Sequence, residues 1–569
     1  MSESDPQGAR RVERRLVVLL VIAYGWLFVF FPRINNPNEL VRVYMARAIA
    51  QEPTSAIGKR VQLPNGRFAD TGRIIQEWGW VNDKALVCDD RARRPPECAG
   101  TLYAGKAPGP SLLAAPVVWL QERAVSLVQH RAPTKTELVF VLRWLLAILP
   151  SVFLWLWVRR FLRAHEVDAP IATVATLAGA LGSMSFTFGQ MLASHQLASV
   201  FLALGALAAF WPSVLDVRRA LLVGVGVSGA VCMEYPSAPA AVIVAIGFLV
   251  VTRPTPKLLA ISLAGTLPFA LLLAHFHTVA FGAPWHTPYS TLENAGFVRD
   301  LAPGFMGISA PSFERIWGSL FAPYLGLFHW APWTCLVLGA MLLLRERRVP
   351  STGETSARQR AVAIVCACVV LYFILFQVNH SLWRSGWTVG PRYITPLVPF
   401  AAITVALALQ RLAPAARLAG LAVLCACAIA AMIATVPSSM VTQGFPFEAY
   451  NPLREIVIPL FAHGYAARNP LQALGVPGVW SALPVLYVLL MAVLLCLASP
   501  LAEAKLLWGA LENPTLVFKR VHTLMWLVLV GLLIAQWTAM KGATPEGKNG
   551  AGFLAGQWEP DPPPGATKF

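Results

Sequence analysis

Along this chain, continuous apolar runs of about 20 residues, the length that crosses a bilayer as a helix, alternate with short polar turns. A single long polar stretch, Pro32–Pro110, interrupts the pattern near the start. The run before it, Leu16–Phe31, has no small-residue cleavage site after it and reads as a retained span, not a signal peptide. Further runs cover Glu137–Val158, Ala169–Phe186, Leu197–Leu215, Ala220–Met233, Ser237–Val251 and Leu258–Phe281. After a second polar loop come Leu320–Leu344, Ala361–Val378, Ile394–Leu409, Leu418–Val436, Val479–Leu497 and Val521–Met540, which makes about 13 spans in all. Backbone groups in lipid must be satisfied internally, and barrel strands would show short alternating segments instead of continuous runs. The fold class predicted is therefore all-α, a polytopic transmembrane helix bundle.

Inside the polar stretch, Leu40, Val43, Ala46 and Ile49 recur at helical spacing, which predicts a short helix over Glu39–Ala50 lying on the membrane surface. Ser111–Val128 is apolar but carries Pro116, Gln121, Glu122 and Arg123, and is expected to be a second interfacial helix. Charge supports that choice. If the segment lies flat, Arg159, Arg160 and Arg163 fall inside, with Arg218, Arg219, Arg253, Lys257, Arg345, Arg347 and Arg348, as the positive-inside rule requires. The resulting division is a cytoplasmic, disordered tail over 1–15, a membrane domain over 16–540 with its first periplasmic loop at 32–136, and a Pro- and Gly-rich periplasmic tail over 541–569.

Composition agrees: 56% of residues are hydrophobic and 13% charged, against about 25% charged in soluble chains. The net charge of +17 sits largely at span ends, so it points to membrane topology and not to nucleic acid. Seven of the nine cysteines lie in or beside apolar runs. Cys88 and Cys98 lie in the first polar loop and, outside the cytoplasm, are expected to pair; two free thiols are the alternative.

Chemistry concentrates at the ends of spans. Glu39 follows the first span, and a carboxylate there suits either the deprotonation of an acceptor or the first turn of a helix. Asp83 is the second candidate catalytic acid. Arg392, next to Gly390-Pro391 and Tyr393, and Lys106 are candidate phosphate ligands, or else interfacial anchors. His195 stands near the end of a span, and Glu234 sits in the turn Glu234-Tyr235-Pro236. Trp285 and Tyr289 suit either stacking on a sugar ring or an interfacial position. The chain has no Walker loop, no GxGxxG after a strand and no His or Cys pairs at zinc spacing; no cofactor is expected, and no ligand cluster argues for a divalent metal.

Asn38-Glu39 followed by Arg42, Tyr44 and Ala46-Arg47, then Lys106-Ala107-Pro108-Gly109, and Arg143 in a span ending Arg159-Arg160-Phe161, resembles the N-terminal half of the C-type glycosyltransferases. That superfamily includes the aminoarabinose–lipid A transferases and the bacterial protein O-mannosyltransferases. Phe281-Gly282-Ala283-Pro284-Trp285 and Gly390-Pro391-Arg392-Tyr393 resemble motifs of its mannosyltransferase-like branch. The resemblance implies a sugar donor carried on polyprenyl phosphate and a catalytic carboxylate in the first outer loop, drawn from Glu39 and Asp83. Lys106, Arg392, Arg42, Tyr393, His195 and Glu234 are then expected around the substrate. It also implies transfer to a lipid, glycan or protein acceptor at the periplasmic face of a bacterial inner membrane. One residue departs from the pattern: the first acid of the family's Asp-Glu pair is Asn38 here. A transporter or flippase, or a member that has lost transfer and acts as a partner subunit, are the rival readings. The first would place acids in mid-span; here they cluster in the loops.

Overall fold

A computed structural model of the chain describes residues 6–31, 37–90, 92–304, 307–345, 354–446, 448–538, 545–557 and 562–567. The residues that follow the first expected span (32–36), Arg347 and Arg348, and Met540 at the end of the last span fall outside those ranges.

The molecule is a helical membrane bundle. Among the described residues, eight helices are long and apolar enough to cross a membrane, by length and composition alone. Seven of them coincide with expected spans. The eighth is Gly109–Gln129, read from the sequence as interfacial. Four shorter apolar helices, Ala169–Leu181, Ser194–Phe210, Pro332–Leu344 and Leu397–Gln410, pack among them. The expected span Leu320–Leu344 is instead broken into Phe313–Leu320, Leu327–Trp330, Pro332–Cys335 and Leu336–Arg345. Gly326 and Pro332 interrupt it, and the irregular backbone is tolerated because Leu327, Trp330, Ala331 and Trp333 are buried in protein, with no exposure to lipid.

The polar stretch departs furthest from the helical expectation. Between its helices it folds four short strands, β1 (Gly58–Gln62), β2 (Phe68–Thr71), β3 (Lys84–Cys88) and β4 (Gly100–Ala104), into an antiparallel sheet of order β2-β1-β4-β3. The Cys88–Cys98 disulfide joins the end of β3 to the residues leading into β4. Ion pairs do much of the work that apolar alternation does in longer sheets. Arg60 and Lys84, from β1 and β3, share the carboxylates of Asp70 on β2 and Glu293 from the loop after Phe281, with Arg60–Asp70 at 2.6 Å and Lys84–Glu293 at 3.2 Å. The Glu293 amide also donates to the Lys84 carbonyl, so that loop is stitched to the sheet edge.

The expected helix after the first span is present as Pro37–Gln51, but it does not lie on a surface. Leu40, Val41, Val43, Tyr44, Met45, Ala46 and Ala48 are all fully buried, on every side of the helix. They form a second core with the underside of the sheet and with helices Gly109–Gln129 and Lys135–Arg143. Both termini differ from expectation as well. The supposed tail is helical from Pro6 (Pro6–Gly25), and the C-terminal segment forms a helix, Pro545–Gly556, whose Ala551, Leu554 and Ala555 are buried against the bundle.

Candidate active site

Where the sheet meets the helices, a cavity of about 770 Å³ opens, walled mainly by apolar and aromatic side chains. Of the eight residues expected to act in catalysis or lie around the substrate, seven line it: Asp83, Lys106, Arg42, His195, Glu234, Arg392 and Tyr393. They come from six separate parts of the chain. Glu39 does not line it.

Asp83 is the last residue of the five-residue link (79–83) that turns the chain into β3, at φ 58°. The left-handed region is uncommon for residues other than glycine, with Asp among the better-tolerated exceptions. The Gly105 amide donates to the Asp83 carbonyl at 2.7 Å, and a Cβ at Gly105 would meet that same oxygen at 2.7 Å. Only glycine lets the turn after β4 come this close, and the next residue, Lys106, thereby brings its ammonium to 3.5 Å from Asp83 Oδ2. Lys84, the next residue on the other side, is anchored to Asp70 and Glu293 under the Trp80 ring. The acid is held by a clamped strand on one side and a tight turn on the other.

Across the cavity, Arg42 is buried in helix Pro37–Gln51 and donates from Nη2 to Ser194 Oγ at 2.7 Å. Ser194 in turn donates to Glu234 Oε2, which lies 3.3 Å from His195 Nδ1. Desolvation lowers the pKa of Arg42, opposed by the charges of Glu234 and Asp83 and reinforced by Arg392. Arg392 follows a turn that requires glycine: Gly390 has φ 70°, and a Cβ there would press to 2.9 Å from Met184. Its guanidinium lies over the Tyr393 ring, 5.4 Å from the centroid, and faces Asn38. With the Asn38 carboxamide oxygen turned to the arginine, it accepts from both Nη1 and Nη2, the latter at 3.1 Å. Among the described residues, no carboxylate stands within ion-pairing reach of Arg392. The cavity thus gathers three cations against two carboxylates.

Glu39 is placed otherwise. Arg143 grips it with two parallel hydrogen bonds, Nε to Oε1 at 2.8 Å and Nη2 to Oε2 at 2.6 Å, and the Leu192 amide adds a third at 2.9 Å. The same guanidinium donates to the Val29 carbonyl at 2.6 Å and to Gln443 at 3.0 Å. Both side chains are at most 1% exposed. Three of the carboxylate's roughly four acceptor sites are thus taken, and the side chain is buried away from the cavity lining. The partner was visible in sequence as an arginine inside an apolar run, a position that needs a counter-charge.

Other residues complete the walls. Tyr289 lines the cavity and makes an edge contact with Tyr235 at 5.5 Å, whereas Trp285 is 76% exposed and points elsewhere. Burial, together with Glu234, pushes the Tyr289 hydroxyl well above its ordinary pKa, so it stays a hydrogen-bond donor. His380 lies against Phe376 and Tyr393, and burial pushes its pKa down to about 4. Phe553 and Leu554 of the C-terminal helix close one side, Phe553 with its ring edge-on to Trp387. None of His380, Phe553 or Leu554 announced itself in sequence. Among the described residues, no three His, Cys, Asp or Glu side chains are grouped to hold a metal ion.

Chemically, the site offers a carboxylate able to accept a proton, cations able to hold an oxyanion and aromatic walls able to face a sugar ring or an isoprenoid. No protein-family model and no curated protein matches the chain. Among solved structures, ArnT from Cupriavidus metallidurans in the apo state aligns over 93% of this chain and 76% of its own, at 14% identity and a TM-score of 0.41. The same protein bound to undecaprenyl phosphate aligns over 96% and 79%, at 13% identity and a TM-score of 0.43. Likeness at this level transfers no residue roles, and the chemistry is argued from the cavity itself.

Proposed function

We propose that this chain is a membrane glycosyltransferase that moves a sugar from a polyprenyl-phosphate carrier to a lipid, glycan or protein acceptor, at the periplasmic face of a bacterial inner membrane. The observation that carries the reading is the convergence of Asp83 with Lys106, Arg42 and Arg392 in one largely apolar cavity of a membrane helix bundle. Asp83 is the base. It takes the proton of the acceptor hydroxyl or amine as that atom attacks the anomeric carbon, and the bond from that carbon to the phosphate oxygen breaks. The products are the glycosylated acceptor and polyprenyl phosphate, and one displacement inverts the anomeric centre. Negative charge gathers on the leaving phosphate, where prearranged cations stabilise it at little reorganisation cost. Glu234, tied to Ser194 and beside His195, and the Tyr393 ring shape the wall that faces the sugar. Asn38, where the family pattern has an acid, does not remove the base on this reading, because Asp83 supplies it.

The test is transfer by the purified protein in detergent, with labelled polyprenyl-phosphate sugars as donors and an envelope extract as acceptor. Transfer by the wild type that is lost in Asp83→Asn, with donor binding retained, supports the assignment. A wild type that binds no polyprenyl-phosphate donor defeats it and favours the transporter or partner-subunit readings.

A further inference from the structure

Asn38 is a buried amide, 5% exposed, aimed at Arg392, a cavity cation that has no carboxylate within ion-pairing reach among the described residues. Lys106 has Asp83 at 3.5 Å, and Arg42 reaches Glu234 through Ser194. Among the described residues, the groups that meet the Arg392 guanidinium are neutral, the Asn38 carboxamide and the Tyr393 ring; its Nε has no hydrogen-bond partner, and the nearby charge of Arg42 has the same sign as its own. A buried guanidinium in this condition is costly unless an anion completes it. The amide fixes the fork of Nη1 and Nη2 without cancelling its charge. An aspartate, of nearly the same shape, would fill the same place and neutralise it.

We infer that Asn38 is a positioning residue whose neutrality keeps Arg392 available as a receptor for a phosphate ester or related oxyanion. This rests on the proposed function for the identity of the anion, but not for the geometry. It leads to a result opposite to the one the family pattern would suggest: restoring the acid, Asn38→Asp, weakens the site instead of improving it. Shape and charge separate cleanly here. Were Asn38 only a packing residue, the near-isosteric Asp would be tolerated and Ala would do the damage. Were it a charge-neutral holder, Asp would do the greater damage, because an opposite charge at contact distance competes directly with the ligand.

The experiment measures binding of polyprenyl phosphate, and separately of inorganic phosphate, to the full-length protein in detergent, for wild type, Asn38→Ala, Asn38→Asp and Arg392→Gln. Expected is a loss of lipid-phosphate affinity of at least about tenfold for Asn38→Asp, similar to Arg392→Gln, with a smaller loss for Asn38→Ala. In transfer assays the Asn38→Asp defect should appear in the donor KM more than in kcat. A matching loss of inorganic-phosphate affinity identifies the headgroup as the whole determinant, and a loss confined to the lipid identifies the ester; both support the role of Asn38. Affinity in Asn38→Asp equal to or above wild type, with Arg392→Gln impaired, overturns the inference and leaves the proposed function standing. Wild type that binds neither ligand overturns both. Thermal unfolding of each variant shows whether a loss reflects the site or the fold, and Asn38→Ala, which adds no charge, keeps the comparison decisive if Asn38→Asp is unstable.

Discussion

Two carboxylate–cation pairs lie within the same region and differ in almost everything except their chemistry. Glu39–Arg143 is bidentate at 2.6–2.8 Å, at most 1% exposed, and supplied with further donors from Leu192. Asp83–Lys106 is a single looser contact at 3.5 Å, with Lys106 16% exposed, at the edge of a cavity. The first joins five parts of the chain, from Val29 to Gln443, and has most of its hydrogen-bonding capacity already taken. The second has its backbone fixed and its side chains underused. A reactive acid needs a rigid mount and unfilled hydrogen-bonding capacity, and of these two acids Asp83 fits that description better, in line with the proposed function. Position in sequence after the first span, which favours Glu39, does not distinguish a bidentate, buried carboxylate from one at the edge of a cavity.

The strongest way to break this contrast is Asp83→Asn. Loss of the base should lower transfer by about 10²–10⁴-fold, with thermal stability close to wild type; an active Asp83→Asn enzyme would return the catalytic role to another acid. Glu39→Gln should do the reverse and act mainly on stability. Removing one partner of a buried ion pair costs about 3–5 kcal/mol, which should appear as a lower unfolding temperature and poorer yield in detergent. Arg143→Met combined with Glu39→Met should recover part of that stability, since apolar replacement of a whole buried pair is far milder than breaking it. A Glu39→Gln protein as stable as wild type but inactive would reverse the two assignments.

A smaller effect sharpens the comparison on the side of Asp83. Opening the Cys88–Cys98 bridge, by Cys88→Ser with Cys98→Ser, removes the clasp from the end of β3. A loss of about 2–3 kcal/mol is expected from the size of the loop it closes, with transfer reduced and the membrane bundle still assembled, as read by limited proteolysis of the sheet. The smallest effect concerns His380. Its pKa in the fold, about 4, lies below the ordinary value of about 6.5, so above about pH 6.5 both states are neutral there and stability is untouched. As pH falls from that value towards 4, the unfolded chain takes up a proton that the fold resists, and stability is lost. Unfolding temperature followed over that range should fall less steeply in His380→Phe than in wild type.

Much of the bundle was legible because long apolar runs admit few structures in lipid. The site residues were legible for a related reason: polar and charged groups at the ends of spans have few places to go, and those from six separate segments meet at one end of the bundle. The sheet was not legible, since strands of four or five residues such as Gly58–Gln62 carry charges where a strand pattern would show apolar positions. Arg60, Asp70, Lys84 and Glu293 hold it together by contacts up to 233 residues apart in sequence, which no local window contains. The broken helix near Gly326 and Pro332 was hidden by its own hydrophobicity. The burial of helix Pro37–Gln51 could not be read from its spacing, because a helix covered on all sides and one that lies on a membrane share the same apolar positions.

The cavity wall includes Phe31, before the polar stretch, and Leu554, which follows the helix Pro514–Trp537. A ribosome therefore releases the last of this wall only after every helix between Phe31 and Leu554 has been made. During synthesis the earlier helices can settle in turn, as domains and subdomains generally do, but the chamber stays open on one side throughout. The order of translation thus acts as a timer: a nascent chain has no finished compartment in which to react, and a protein cut short before Pro545 would keep its charges and lack a wall.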